Sequence, residues 1–341
     1  MSAPHTQTIG GPWFEDFELG HSFDAPAVTL TAGYAAQHQA LFGDRLRLPL
    51  DHPSSARMTG HEAPLLHPLL AINLAIGQST WASQRVKANL FYRGLLLRTP
   101  VFLGDTLYTR TRVVGLRQNR PQAGRTATGI VALEMVTQNQ RGEEVLHFWR
   151  CPMIPCRDPQ ARTAHADDLD RIGREVTIED VRRAVPCGWK LEIAAPWQGP
   201  RAQTLTVGER FGIEARDTIT SAPELVRLSL NMAMAHTDAR LSYLGERLVY
   251  GGHTIFMTFA QITRALPNLL TVLAWERCDH LAPVLENDRI RSELEVLAIV
   301  PLTPAEGGGA LLKLQATGFA ARGEPEQETP VLDWVFWAWS L

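Results

Sequence analysis

The chain has 341 residues, 45% of them hydrophobic, enough for a sizeable core and, by length, for two domains or one fold duplicated. A formal charge of -3 with scattered arginines gives no basic face for nucleic acid or an anionic membrane surface. Met1 to His5 lack the basic-then-apolar order of a secretion signal, and the most apolar segments, Leu65 to Ile76 and Ile255 to Leu266, are too short to span a bilayer. Cys151, Cys156, Cys187 and Cys278 are scattered, with no second Cys/His pair at zinc spacing and no disulfide framework. The expectation is a cytoplasmic protein with reduced thiols, no metal or redox cofactor, and no nucleic-acid or membrane partner.

In chain order, an extended segment (Phe23 to Thr31) leads to a helix (Ala32 to Phe42), an irregular stretch and a strongly apolar helix (His67 to Gln78). Strands follow over Ala88 to Phe102, Thr106 to Leu116, Gly129 to Gln138 and Val145 to Pro152. In the second of these, Leu107, Thr109, Thr111 and Val113 alternate with Tyr108, Arg110 and Arg112, the period of a half-exposed strand. From Asp158 to Arg201 the chain is first charged, then punctuated by Pro186, Pro196 and Pro200. It is expected to hold a short helix near Ile178 to Ala184 and little else. An extended run (Phe211 to Thr220) and a helix (Ala222 to Met234) come next, with Ser221 as N-cap and Pro223 near its first position. The helix over Gly252 to Leu266 is apolar nearly all round, which predicts burial, and Pro267 ends it. The last strands cover Leu269 to Cys278, Arg289 to Val300, Leu311 to Ala320 and Val331 to Trp339. Arg141-Gly142 and Gly307-Gly308-Gly309 suit antiparallel turns.

The order repeats. Pro100-Val101 with Asp105 recurs as Pro283-Val284 with Asp288, 183 residues on, and Gly20 with Phe23 recurs as Gly208 with Phe211, 188 residues on. One buried helix wrapped by a long antiparallel sheet, twice per chain, is an α+β double hotdog. The expected division is an N-terminal hotdog over 1–157, a linker over 158–201 and a C-terminal hotdog over 202–341.

Only the second half offers a constellation for chemistry. Asn231-Met-Ala-Met-Ala-His236-Thr-Asp238 closes its first helix, and Gly251-Gly252 opens its buried helix. His236 is the candidate proton carrier, since imidazole titrates near neutral pH. The amide of Asn231 can hold a water. The free N–H of Gly252, at a buried helix N-terminus, suits an oxygen gaining negative charge. Addition of water to an enoyl thioester needs these three functions.

This stretch resembles the MaoC-type hydratase and dehydratase motif, in which Asp, then His five residues later, then Asp two further on precede a His-Gly pair at the central helix. His236 and Asp238 match, and Gly252 falls on the glycine whose N–H binds the thioester carbonyl in that family. Asn231 stands where Asp is usual and Gly251 where His is usual. Trp13 to Gly20 and both Pro-Val…Asp repeats are also similar to the family. Within it, the chain most resembles the mesaconyl-CoA hydratases (β-methylmalyl-CoA dehydratases). That likeness rests on Lys87-Ala-Asn89-Leu90-Phe-Tyr92, Val114-Gly-Leu116, Thr137 to Glu143 and Arg247 to His253. The resemblance implies reversible hydration of a branched C4-dicarboxylic enoyl-CoA.

At an offset of 187, Pro49 corresponds to His236, Asp44 to Asn231 and Asp51 to Asp238. Proline carries no proton, so the first half is expected to be catalytically silent and to shape the pocket. Among supporting residues, Asp238 reads as a structural partner or loop cap, Gly251 as an opening, and His253 as a pocket residue. His67 reads as a cap or packing residue, and Trp334, Trp337 and Trp339 as core and dimer contacts. A dicarboxylic substrate wants one arginine in the pocket, which the sequence does not identify. Another short-chain enoyl-CoA hydratase, a hotdog acyl-CoA thioesterase and a non-catalytic acyl-CoA-binding protein remain open alternatives. A homodimer is expected from an exposed sheet edge.

Overall fold

The alternating segments assemble into one antiparallel sheet. The computed structural model describes residues 9–122 and 124–341. Its first half contributes β1 (Ser22–Asp24), β2 (Val28–Thr29), β3 (Ala88–Leu97), β4 (Thr106–Gln118), β5 (Thr128–Gln138) and β6 (Glu144–Pro155). The second contributes β7 (Arg210–Gly212), β8 (Asp217–Thr218), β9 (Leu269–His280), β10 (Arg289–Pro301), β11 (Ala310–Arg322) and β12 (Gln327–Ser340). The order is β1-β4-β5-β6-β3-β9-β12-β11-β10-β7, with β2 beside β4 and β8 beside β10. The halves join where β3 pairs β9, Tyr92 opposite Cys278 and Leu96 opposite Ala274. In β4 the predicted faces hold: Leu107, Thr109, Thr111 and Val113 are buried while Tyr108, Arg110 and Arg112 face out. Both ends of the sheet finish in short strands, which leaves little ladder for a second sheet to extend.

The helices are α1 (Ala32–Phe42), α2 (Arg47–Leu50), α3 (His52–Thr59), α4 (Pro68–Ser79), α5 (Ile178–Ala184), α6 (Ala222–Leu228) and α7 (Gly251–Ala265). Every residue of α4 is buried, as is α7 from Gly252 to Thr263. Side chains such as Leu69, Ile72, Ile255 and Phe259 therefore pack all round each helix, each contributing about 1.5–3 kcal/mol. The one amide buried in the same place on each helix is bonded to the wrapping strand. Gln78 donates to Leu107 O at 3.4 Å and Gln261 to Ile290 O at 2.9 Å. No helix among the described residues is long and apolar enough to cross a membrane.

The sequence echoes mark equivalent bonds. Asp105 accepts from Phe102 N at 2.9 Å, and Asp288 from Leu285 N at 2.8 Å, so each Pro-Val…Asp element is a carboxylate-closed turn. Thr80 Oγ1 accepts from Met232 N at 2.8 Å, and Thr263 Oγ1 from Arg45 N at 3.1 Å. The end of each central helix thus ties down the loop that follows the other half's first helix.

Several expectations shift. The helix expected to reach Met234 stops at Leu228, because Leu230 takes a left-handed φ of 57° and the chain turns across the end of α4. Gly77 permits that crossing, since a Cβ there would lie 1.7 Å from Ser229 O. β3 ends at Leu97, ahead of Pro100, and the irregular stretch after α1 folds into α2 and α3. α5 forms as read, but its surroundings are far from featureless. Val181, Ala184, Val185, Trp189 and Ala194 pack with Leu96, Leu270, Leu311 and Trp339, covering apolar side chains of both halves of the sheet. Trp334, Trp337 and Trp339 are all buried within the chain, so none is free for a dimer contact.

Candidate active site

The loop from Ser229 to His236 is held by the first half: Met232 N bonds Thr80, and Met234 N bonds Gln84 O at 2.8 Å. It ends in a single tight turn, Met234–His236, which delivers His236 to the wall of a cavity of about 330 Å³. Asn231, His236, Tyr250, Gly251 and His280 line that cavity from the second half; Lys87, Asn89, Tyr92 and Arg150 line it from the first.

His236 Nδ1 lies 2.8 Å from Leu248 O. A carbonyl only accepts, so Nδ1 carries the proton and Nε2 keeps its lone pair. Burial pushes the His236 pKa below the ordinary histidine value, partly offset by that bond, so the ring is neutral at physiological pH. A neutral ring with one nitrogen pinned and the other without a partner among the described residues is a ready proton acceptor.

The buried helix opens at the same wall. His253 N–H is spent on Tyr250 O at 2.8 Å, while the N–H groups of Gly251 and Gly252 have no acceptor among the described residues. Gly251 lines the cavity, and Gly252 lies behind it: a Cβ on Gly252 would meet the Tyr250 ring at 2.6 Å. A Cβ on Gly251 would meet His280 Nε2 at 2.3 Å. The imidazole missing at position 251 is thus replaced in space by His280, delivered from the end of β9. Its Nε2 is buried without a hydrogen-bond partner among the described residues, and burial, then the proximity of His236, brings its pKa down to about 4. The hydroxyl of Tyr250 is likewise buried and unpartnered, its ring centroid 5.7 Å from that of His236.

Three expected site residues lie outside the lining: Gly252 behind Gly251, and His253 and Asp238 elsewhere. His253 does not line the cavity. Two positions past Gly251 on a helix is roughly 200° around it, and His253 points into the core, edge-on to Phe42 at 5.2 Å. Burial lowers its pKa to about 4. Asp238 is also outside the lining. It caps the turn Ala239–Leu241 through Arg240 N at 3.0 Å and pairs with the Arg240 guanidinium at 2.7 Å, which holds its carboxyl below the usual range. Asn231 is inside: its Oδ1 accepts from Ala233 N at 2.9 Å, leaving the amide NH₂ for the cavity side.

Arg150, His280 and Tyr250 were not singled out as site residues from sequence. Arg150 had a legible signal, because it continues the buried row of Leu146 and Phe148 on β6, where a cation is out of place. Its Nε donates to Ser79 Oγ at 3.0 Å, and its Nη2 to Ser79 O at 3.0 Å and Ser83 Oγ at 2.7 Å. Burial lowers its pKa, though a guanidinium remains charged. His280 stands in phase with Cys278 at the end of a strand, a pattern that core packing alone explains equally well.

The corresponding place in the first half is closed. Asp44 Oδ1 accepts from Leu46 N at 2.6 Å, the counterpart of the Asn231 bond, and lies 3.1 Å from His67 Nε2. His67 stands at the N-cap of α4 and its Nδ1 accepts from Leu69 N at 3.2 Å, whereas Tyr250, at the N-cap of α7, makes no such side-chain bond. Pro49 sits in α2, and Asp51 caps α3 through Ser54 N at 3.1 Å, as Asp238 caps its own turn.

These features meet independent likenesses. No family model matches the chain. It is 30% identical to the mesaconyl-CoA hydratase of Cereibacter sphaeroides, covering 97% of this chain and 98% of that protein. It is 29% identical to the β-methylmalyl-CoA dehydratase of Chloroflexus aurantiacus, covering 96% and 93%. A conserved Mycobacterium tuberculosis protein, described as essential for bacterial survival during infection and as having a double hotdog fold, superposes with a TM-score of 0.90. It is 44% identical, covering 98% of this chain and all of that one. A protein described as a MaoC-domain dehydratase from Chloroflexus aurantiacus superposes at 0.82 with 26% identity, covering 98% and 99%. Full-length agreement in sequence with two hydro-lyases, and in fold with double hotdogs of the MaoC kind, gives the family: this chain belongs to the MaoC-like double-hotdog hydratases and dehydratases.

Proposed function

We propose that this protein reversibly adds water across the α,β double bond of a branched C4-dicarboxylic acyl-CoA, interconverting mesaconyl-CoA and β-methylmalyl-CoA. The observation that carries the reading is His236, neutral, with Nδ1 fixed by Leu248 O and Nε2 unused beside the cavity. The identities of the two full-length relatives supply the substrate pair.

In the hydration direction His236 Nε2 takes a proton from a water held by the Asn231 amide, and the hydroxide adds to the β carbon. The π electrons move through the α carbon to the thioester oxygen, which gains enolate charge beside the first-turn N–H groups of α7, Gly251 at the cavity wall and Gly252 behind it. Such donors at a helix N-terminus contribute on the order of 2.7–4 kcal/mol where they meet developing charge. The imidazolium returns its proton to the α carbon as the carbonyl re-forms. Asn231 cannot titrate, so a single base carries both transfers. Water, thioester and the chain's own groups balance the reaction.

The test is a substrate series. Wild-type protein offered mesaconyl-CoA, crotonyl-CoA and fumaryl-CoA should remove enoyl absorbance, with mesaconyl-CoA preferred. Preference for crotonyl-CoA would overturn the substrate and keep the reaction. Release of free CoA without hydration would overturn the reaction in favour of a thioesterase, and unchanged absorbance with tight binding in favour of a binding protein.

A further inference from the structure

The cavity wall carries a cation that the water-addition chemistry does not use. Arg150 is only 3% exposed, and it lines the cavity from β6. Its Nε and Nη2 are fixed by Ser79 and Ser83, while no hydrogen bond or ion pair among the described residues takes Nη1. A buried guanidinium is normally matched by a carboxylate, because an uncompensated charge out of water is costly. Among the described residues the lining contains neither Asp nor Glu, and the groups nearest in charge are the phenols of Tyr92 and Tyr250, both of which burial keeps protonated. The first half has thus placed a pre-oriented positive charge, without a counter-ion among the described residues, in the wall of the cavity that His236 also lines.

We infer that Arg150 is the anchor for a carboxylate at the end of the acyl chain distal to the thioester, and that it makes the site selective for dicarboxylic over monocarboxylic acyl-CoA. The inference rests on the hydratase reading for the place of the thioester, but it concerns binding. Two serines hold the guanidinium plane through Nε and Nη2, so an entering carboxylate meets a fixed cation whose Nη1 hydrogens are still free. The tyrosines supply a dry surround in which that contact is strong. Lys87, the other cation of the lining, is less buried than Arg150, so a contact there would be more screened by solvent.

The test uses the full chain and ligands that cannot be hydrated. Methylsuccinyl-CoA and its distal carboxamide, alike in shape and different in charge, are titrated calorimetrically into wild type, Arg150→Gln and Lys87→Met. Wild type should bind the carboxylate on the order of 100-fold more tightly than the amide, the range of one buried charge-assisted bond. Arg150→Gln should abolish most of that ratio, and Lys87→Met should leave it. Equal binding of the two ligands by wild type would overturn the anchor without recourse to a variant that might misfold. A ratio surviving in Arg150→Gln or lost in Lys87→Met would overturn it too. A preserved ratio in a protein that hydrates no enoyl-CoA would support the anchor while removing the reaction proposed above. Failure of both ligands to bind would remove both.

Discussion

Asp44 and Asn231 hold corresponding places in the two halves and make the same backbone bond two residues ahead, yet one is sealed in the core and the other opens on a cavity. The difference lies in what covers them. In the first half, α2 and α3 bring Leu48 and Met58 against Val185, Trp189 and Leu302, so the linker closes that end of the sheet with apolar side chains. In the second half, the stretch after His236 is the Asp238-capped turn and a loop with Leu241 open to solvent, whose Tyr243 and Leu248 line the cavity without filling it. The shared scaffold, with its two carboxylate-closed turns and two threonine ties, is indifferent to chemistry. Under the proposed function, what differs is which half leaves this place open and which wall the other half presents to it.

The comparison can be broken at the N-caps. His67→Ala leaves Asp44 buried without its partner and should cost about 3 kcal/mol or more in chemical denaturation. Tyr250→Phe removes a hydroxyl that has no partner and should cost less than about 1 kcal/mol. Equal losses would remove the distinction between a closed, bonded half and an open, waiting one.

The next pair concerns the first residue of each central helix. Gly251→Ala pushes a methyl into His280 and should lower kcat/KM roughly 10- to 100-fold with little change in thermal stability. Pro68→Ala, at the same place in α4, should leave kcat/KM within about threefold. A change in kcat/KM from the α4 variant would show that the closed half takes part in the chemistry.

Acid pH gives a smaller, graded effect. Protonating His236 removes the base, and its pKa lies below the ordinary value, so kcat/KM should hold through neutrality and fall only beneath the usual histidine range. Asn231→Asp places a carboxylate in the same cavity, favours imidazolium and should shift that acid limb to higher pH. An unmoved limb would mean that position 231 does not sense His236. The mildest effect is on folding. His253 titrates at about 4 in the folded protein and near 6.5 unfolded, so the unfolded chain binds the extra proton between those values. Stability should therefore decline as pH falls from about 6.5 to about 4, and His253→Gln should flatten part of the decline. An identical slope would exclude that burial as the cause.

The fold was largely legible because its two periods, the alternation of β4 and the all-round apolarity of α4 and α7, reflect burial that leaves a mark on every residue. The duplication was legible because each Pro-Val…Asp element needs its carboxylate to close a turn. What escaped depended on tertiary position. Nothing local ends α6 at Leu228, since the close pass over Gly77 decides it. Helical geometry, applied to the observed first residue Gly251, turns His253 away. His280 reaches the site from a strand 29 residues further on, which no motif spacing encodes. Arg150 lay within reach as a cation in an apolar row, but its meaning required the cavity.

The central claim is that one open half performs the chemistry through His236, and it is tested most directly by the rate of enoyl absorbance loss on mesaconyl-CoA for His236→Ala beside wild type. The account predicts a kcat lower by about 10²- to 10⁴-fold, the usual worth of a general base, with methylsuccinyl-CoA still bound. Equal rates in the two proteins would contradict it.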